Sequence, residues 1–303
     1  MKKLLLLLLI PFCFISTLYA QNLTIATYNI RNENQYDYSR GNGWKQRCPV
    51  ITQLIRFHDF DIFGAQEVLY GQVNDMLSQL PEYSYVGVGR DDGKNAGEFS
   101  PIFYKKEKLL LVQSGTFWLS ETDDKPSVGW DAALPRICTW GKFQIKESGS
   151  YFWFFTLHMD HIGVKARLES SKLVLNKIMA MCGNEPVILT GDFNVDQTND
   201  GYKFLADSGH LFDTYETADI RYAQNGTFND FNPTLKTDSR IDHVFTTKAL
   251  HATRHGVLTD SYWSTAENSA TIASSDNTPK EQSHINRLPS DHYPVVVKIT
   301  FVH

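Results

Sequence analysis

The sequence predicts an α/β domain in which two sheets pack face to face with helices outside. Three observations carry that expectation. Strand-like and helix-like stretches alternate along the chain, they fall into two strand-rich tracts that each carry helices, and no linker rich in Pro, Gly and Ser divides them. Residues 21–303 therefore read as one domain. With 42% hydrophobic residues in a chain of 303, a large core is within reach.

The elements follow in order. Residues 23–30 alternate apolar and polar positions, as a strand with one buried face does. In residues 44–57, Trp44, Val50, Ile51, Leu54, Ile55 and Phe57 recur near helical spacing. Residues 62–65 are a short apolar strand, and residues 72–80 a helix ended by Pro81. Strands are expected at 83–88, 100–104, 109–113, 137–145 and 151–157. Residues 164–181 are the clearest helix, with Gly183 as its stop signal. A buried strand at 187–190 and a short helix at 201–207 come next, and strands at 241–246, 253–258 and 294–301 close the domain. Residues 263–289, polar and rich in Ser, Thr and Asn, read as a long surface loop.

Residues 1–20 read as an export signal and not as part of the fold. Lys2 and Lys3 precede an apolar run too short to span a membrane, and Ala20 ends it as a cleavage site would. Pro11 and Phe12 stand where a lipoprotein signal around Cys13 would need small residues. A periplasmic or secreted protein with no transmembrane segment after cleavage is the expectation. Losing Lys2 and Lys3 takes the formal net charge from -5 to -7. An acidic chain lacks the basic footprint that polyanions need, which argues against DNA as substrate without excluding a local basic groove. The three remaining cysteines, Cys48, Cys138 and Cys182, are widely spaced and odd in number, so buried free thiols are expected in place of a disulfide framework.

Polar residues recur at the ends of apolar strands. Asn29, Glu67, His158, and Asp192 with Asn194, each follow one; Asp242 opens one, and Asp291 and His292 precede one. Any of these alone reads as a turn former or a helix cap. Together they are the residue types that metal-assisted attack on a phosphoester requires. A hard divalent cation takes carboxylate oxygens, which Glu67 with Asn29 or Asp291 can supply. Orienting a water and neutralising a leaving oxygen suits Asp192, Asn194, His158 and His292.

The order of these segments carries a resemblance. Thr27-Tyr28-Asn29-Ile30-Arg31, Gln66-Glu67-Val68, Thr156-Leu157-His158, Gly191-Asp192-Phe193-Asn194, Arg240-Ile241-Asp242-His243 and Ser290-Asp291-His292-Tyr293-Pro294 resemble the successive motifs of the DNase I-like endonuclease/exonuclease/phosphatase superfamily. The resemblance implies a four-layer α/β/β/α sandwich with the site at one edge, and it implies roles. Glu67 matches the principal metal-binding Glu, Asn29 the Asn beside that metal, and Asp291 a further group near it. Asp192 and Asn194 match the pair that positions water and phosphate. His292 matches the catalytic His, Asp242 the acid that orients it, and His158 the second His. Glu98 resembles the acid that pairs with that second His, against the alternative of a surface Glu.

Arg136, just before a strand, either grips a phosphate oxygen or makes a structural ion pair. Trp118 and Trp130 either shape a pocket or fill the core, and His161 and Arg167 bound the site or cap a helix. The reaction expected is Mg²⁺-dependent hydrolysis of a phosphomonoester or phosphodiester, with Mn²⁺ as a substitute, in which Asp192 or His292 activates water. A small molecule, a lipid head group or nucleic acid would serve as the phosphorylated substrate, and the protein would act as a monomer. The alternatives are a nuclease, or a non-catalytic binding module on the same scaffold. The sequence holds no GxSxG elbow, HExxH or P-loop to support another mechanism.

Overall fold

A computed structural model describes residues 22–265 and 284–302. The expected leader, residues 1–20, lies outside the described residues. In chain order the elements are β1 (Asn22–Asn29), α1 (Gln35–Ser39), α2 (Trp44–Phe57), β2 (Ile62–Gln66), α3 (Tyr70–Gln79), β3 (Tyr83–Val86), β4 (Ile102–Lys105), β5 (Leu109–Trp118), β6 (Ile137–Ile145), β7 (Tyr151–His158), α4 (Val164–Cys182), β8 (Val187–Asp192), α5 (Asp200–Ala206), β9 (Phe212–Asp213), α6 (Thr214–Thr217), β10 (Ile220–Tyr222), β11 (Asp242–Thr246), β12 (Leu250–Val257), β13 (Tyr262–Thr265), β14 (His284–Arg287) and β15 (Val295–Phe301).

Seven strands, in the order β10-β12-β15-β1-β2-β4-β3, make one sheet, and six, in the order β5-β6-β7-β8-β11-β9, make the other. Successive side chains of a strand point to opposite faces, so each sheet has an inner and an outer apolar layer. Between the sheets, Ile25, Ile62, Val297 and Ile299 meet Phe143, Phe152, Phe154 and Ile188. Outside the first sheet, Ala26, Phe63 and Ala65 pack with Ile51 and Ile55 of α2 and Val73 and Met76 of α3. Outside the second, Phe155, Leu157 and Leu189 pack with Val174 and Ile178 of α4 and Leu205 of α5. The result is the expected α/β/β/α sandwich.

At Gly64 the two sheets approach too closely for a side chain. A Cβ on Gly64 would stand 2.0 Å from Thr156 Oγ1 and 2.8 Å from Thr190 Oγ1. Beside it, Gln66 Nε2 donates to Thr156 Oγ1 (3.0 Å) and to Thr27 Oγ1 (3.1 Å). This buried polar seam ties the sheets together at the edge where the candidate site residues emerge.

Long elements match their expected spans: α2 covers residues 44–57 as expected, and α4 ends at Cys182 before Gly183, whose φ of 55° lies in the left-handed region. The loop expected over residues 263–289 needs correction. Its ends pair as an antiparallel ribbon, β13 with β14, in the register Tyr262 to Arg287 and Thr265 to His284; residues 266–283 lie outside the described residues. The strand expected to end at Gln113 runs on to Trp118 through an irregularity between Leu111 and Gln113, which shifts its alternation. No helix among the described residues is long and apolar enough to cross a membrane. Cys48, Cys138 and Cys182 are free and buried, as expected, and burial holds all three thiols above their ordinary pKa.

One buried histidine gives the fold a pH signature. His255 on β12 shares a hydrogen bond with Thr214 Oγ1 through Nδ1 (3.0 Å), and burial pushes its pKa down to about 4. Below the ordinary imidazole pKa of about 6.5, the unfolded chain takes up a proton that the native chain refuses. Stability therefore falls as the pH drops through the window between those two values. Urea unfolding at pH 7 and pH 4 should show His255→Gln losing about 3 kcal/mol less than the wild type over that interval.

Candidate functional site

Strand register gathers the candidate residues. β1 and β2 run parallel with Asn29 opposite Gln66, so Glu67 follows at the same edge. β7 and β8 run parallel and pair His158 with Asp192. β11 enters antiparallel to β8, placing Asp242 opposite Asp192. β15 is antiparallel to β1 with Val295 opposite Thr27, which carries the preceding Asp291 and His292 to the Asn29 end. Local backbone then aims the side chains. Arg31, Glu67 and Asn194 take positive φ values of 59°, 60° and 52°, a conformation that costs about 1–3 kcal/mol in non-glycine residues and concentrates at functional sites. Arg47, fully buried on α2, pins this corner: it donates to the carbonyls of Ile30 (2.6 Å), Arg31 (3.1 Å), Asn42 (2.7 Å) and Pro289 (3.1 Å).

The residues line one cleft of about 480 Å³. Glu67, Glu98, Arg136, His158, Asp192, Asn194, Asp291 and His292 form its walls, while Asn29 and Asp242 sit behind them. Asp242 Oδ2 accepts from His292 Nδ1 at 2.8 Å. That bond sets the tautomer and points His292 Nε2 toward Asp192 Oδ2, 3.7 Å away. His158 Nε2 reaches the same oxygen from the other side at 3.6 Å. Asn29 Nδ2 donates to Asp192 Oδ2 (3.0 Å) and Glu67 Oε1 (3.1 Å), linking the two halves of the site. Its Oδ1 takes the Arg31 N–H (3.0 Å), so in this arrangement Asn29 orients its neighbours. Asn194 donates its backbone N–H to Asp192 Oδ1 (2.9 Å) and its side-chain amide to Met159 O (2.9 Å), which leaves its Oδ1 over the cleft.

Glu98 is bound by Arg90 and by Asn32 Nδ2 (3.0 Å), and lies 4.0 Å from His158 Nδ1, an ion-pair distance and not a hydrogen bond. Arg136 pairs with Asp160 (3.3 Å) and His161 (2.9 Å) yet still faces the cleft. Arg167 NH1 donates to Asp160 O (3.1 Å) and steadies that acid. Trp118 is buried, with its ring N–H on Arg90 O (2.8 Å); neither it nor Trp130 lines the cleft. Arg31, Arg90 and Phe228 also line the cleft. Arg31 lies two residues after Asn29 at the end of β1, where no spacing sets it apart from a surface arginine. Arg90 sits in a glycine-flanked turn and Phe228 in an aperiodic loop, where no spacing marks them.

The two histidines differ in charge. Burial lowers the pKa of His158, and the Arg136 and Arg90 charges lower it further, so it stays neutral. Burial would do the same to His292, but the Asp242 and Asp192 charges outweigh it and hold its pKa well above the ordinary value. Burial and the Asp242 charge push Asp192 up, and burial with the Glu67 charge pushes up Asp291. One imidazole ready to donate a hydrogen bond, one imidazolium, and one carboxylate of raised basicity within 4 Å form a proton-handling group.

Two acid clusters bear on metal binding. Asp192, Asp242 and His292 present ligand atoms within 4.8 Å of one another. However, the ring nitrogen facing Asp242 carries the shared proton, and an imidazolium repels a cation. Glu67 and Asp291 fit better. Arg31 NH1 is 3.9 Å from Glu67 Oε2 and 3.3 Å from Asp291 Oδ2, while Arg31 Nε is already engaged by Asp37 at 2.8 Å. Two cleft carboxylates thus share one guanidinium that a third acid also claims. This surplus of hard oxygen donors suits a divalent cation.

The model of the Endonuclease/Exonuclease/phosphatase family matches residues 26–292. The chain belongs to this family. It is 52% identical to a family member from Bacteroides thetaiotaomicron whose crystal structure superposes with a TM-score of 0.88, covering 94% of this chain and 99% of that one. It is 53% identical to a mannosyl-6-phosphatase of Bacteroides thetaiotaomicron VPI-5482, with a TM-score of 0.86, covering 92% of this chain and 100% of that one. It is also 32% identical over 219 residues to an uncharacterized protein of Acanthamoeba polyphaga mimivirus, covering 67% of this chain and 79% of that protein. Endonuclease/exonuclease/phosphatase membership and these neighbours place the chain among the phosphoester hydrolases.

Proposed function

We propose that the protein is an exported, Mg²⁺-dependent phosphomonoesterase acting on a small phosphorylated sugar. The observation that carries the hydrolytic reading is the Asp242–His292 pair with Asp192 beside the Glu67 and Asp291 carboxylates in one cleft. The likeness to the mannosyl-6-phosphatase supports a sugar monoester. Export rests on the character of residues 1–20.

Glu67 and Asp291 would hold the Mg²⁺, or Mn²⁺ in its place, which when bound supplies charge neutralisation to the phosphoryl oxygens. The chain's own residues supply the rest. Arg136 and neutral His158 hold the phosphate by hydrogen bonds, and Asn194 fixes its orientation. Asp192 takes the proton from a water in line with the ester oxygen. The phosphorus–oxygen bond to the sugar breaks, and the alcohol leaves with a proton from solvent. His292 faces the charge developing on phosphorus, and Asp242 keeps its ring charged and correctly turned. Asn29 holds Asp192 and Glu67 in a fixed relation.

A substrate panel tests this. Mannose 6-phosphate, acyclic phosphomonoesters, bis(p-nitrophenyl) phosphate and single-stranded DNA are each incubated with chelator, Mg²⁺ or Mn²⁺. Metal-dependent phosphate release from the sugar ester, exceeding diester cleavage, is expected. Diester or DNA cleavage in its place would replace the monoesterase reading with a nuclease, and turnover of nothing would favour a binding module.

A further inference from the structure

Beside His292 runs a short segment, residues 227–231, whose side chains the hydrolytic steps do not use. It is fastened to both halves of the Asp–His pair. Thr227 Oγ1 accepts from the backbone N–H of Ile241 (2.9 Å) and Asp242 (3.1 Å), and Thr227 O accepts from Tyr293 N (2.7 Å). The N–H groups of Asn229 (2.7 Å) and Asp230 (3.2 Å) donate to Asp291 O. Asp230 and Phe231 are consecutive non-glycine residues at φ 52° and 54°, held there in part by Asn229 Oδ1, which accepts from Phe231 N at 2.8 Å. Phe231 tucks under the Arg47 guanidinium, 5.6 Å from its ring centroid.

The strained turn leaves Phe228 and Asp230 in the open, and Phe228 is the apolar one. The rings of Phe228 and His292 meet in a T-shaped contact, with centroids 5.1 Å apart and planes at 71°, and Phe228 keeps 37% of its surface exposed on the cleft wall. Covering this ring in the protein's own core would gain apolar burial and relieve the two left-handed residues. The fold instead fixes a flat apolar face one side chain away from the group that meets the phosphate.

We propose that Phe228 is the platform for the leaving group, and that the group it takes is a pyranose bearing phosphate on an exocyclic carbon. This rests on the phosphomonoesterase reading and adds its specificity element. A phosphate held by Arg136 and His158 and facing His292 brings its ester oxygen to the Phe228 side of the cleft, because Phe228 stands against His292. A pyranose attached through one methylene then lays its C–H face on the ring, while its hydroxyls stay in the open cleft. An acyclic alcohol of the same charge has no such face to present. Phe228 therefore discriminates by the shape of the alcohol and leaves phosphate recognition to the charged residues.

The experiment compares kcat/KM for mannose 6-phosphate and for glycerol 3-phosphate, with Mg²⁺, in the wild type, Phe228→Ala and Phe228→Tyr. Inhibition by inorganic phosphate is measured alongside. Phe228→Ala should lower the ratio of sugar to acyclic ester by about tenfold, Phe228→Tyr should keep the ratio, and the phosphate inhibition constant should stay within about threefold. Equal losses on both esters, or an unchanged ratio in Phe228→Ala, would overturn the proposal, because a ring that only props His292 affects both esters alike. Should Phe228→Ala fail to fold, Phe228→Leu takes its place with a smaller expected drop in ratio. A wild type that turns over neither ester removes the phosphomonoesterase reading. Saturation-transfer NMR of mannose 6-phosphate with the wild type and Phe228→Ala then decides about Phe228 alone: transfer to the pyranose C–H protons that is lost in Phe228→Ala supports it, and unchanged transfer overturns it.

Discussion

Replacing His292 with Gln should lower kcat by about 10³-fold, the range of a group that handles charge or protons in the transition state, while leaving a cooperative melting curve. His292 donates through Nδ1 to Asp242 and faces Asp192 through Nε2, so both nitrogens are committed at 2.8 and 3.7 Å. Gln can mimic one contact at most and carries no charge. Asp242→Asn removes the acid that keeps the ring charged and should cost about 10²-fold. The double variant should be no worse than His292→Gln, since Asp242 acts through the ring and residues that work as a unit lose their effect together. Additive losses, read from steady-state kinetics of the four proteins, would show that Asp242 has a separate task.

Glu67→Gln should be as damaging by a different route. Glu67 is positioned by Asn29 Nδ2 and by the Asn32 N–H (3.3 Å), and its charge raises the pKa of Asp291. Removing that charge leaves Asp291 facing Arg31 alone, which is an ordinary ion pair and not a cation site. Mn²⁺ affinity by isothermal titration should fall by at least about 100-fold, since a lost direct carboxylate ligand costs no less than the ~10–100-fold of an outer-shell change, and turnover should fall by about 10³-fold as several kcal/mol of charge stabilisation is lost. Raising the Mg²⁺ concentration should restore part of the activity to Glu67→Gln and none to His292→Gln. Chelator should bring the wild type down to the level of the Glu67 variant at low metal.

Much of this site can be read in the sequence because several apolar strands end in polar residues that suit one chemistry, in an order that resembles the family's successive motifs. His158 follows Phe154-Phe155-Thr156-Leu157 and Asp192 follows Val187-Ile188-Leu189-Thr190-Gly191, and parallel pairing of the two strands then sends both to one edge. The longer elements were legible for a related reason: α2 and α4 run for 14 and 19 residues, enough turns to display a period. The elements missed are short. α1, β9, α6 and β10 have 5, 2, 4 and 3 residues, below the length at which alternation or helical spacing shows. The ribbon of β13 and β14 was hidden because its pairing partner is 22 positions or so away across polar chain, and composition says nothing of register. Arg31, Arg47, Arg90 and Phe228 escaped for a third reason. Their importance lies in what they touch, Arg47 through carbonyls on three separate stretches of chain and Phe228 through a single ring contact, and neither leaves a pattern along the sequence.

The decisive measurement is anomalous diffraction from a crystal of the wild-type protein equilibrated with Mn²⁺. A single strong peak in contact with both the Glu67 and Asp291 carboxylates, with Asp192 and His292 on its phosphate-facing side, is the result expected. A peak bound instead by Asp192, Asp242 and His292, or none at a concentration that sustains turnover, would contradict the division of the cleft into an ion-holding half and a proton-handling half.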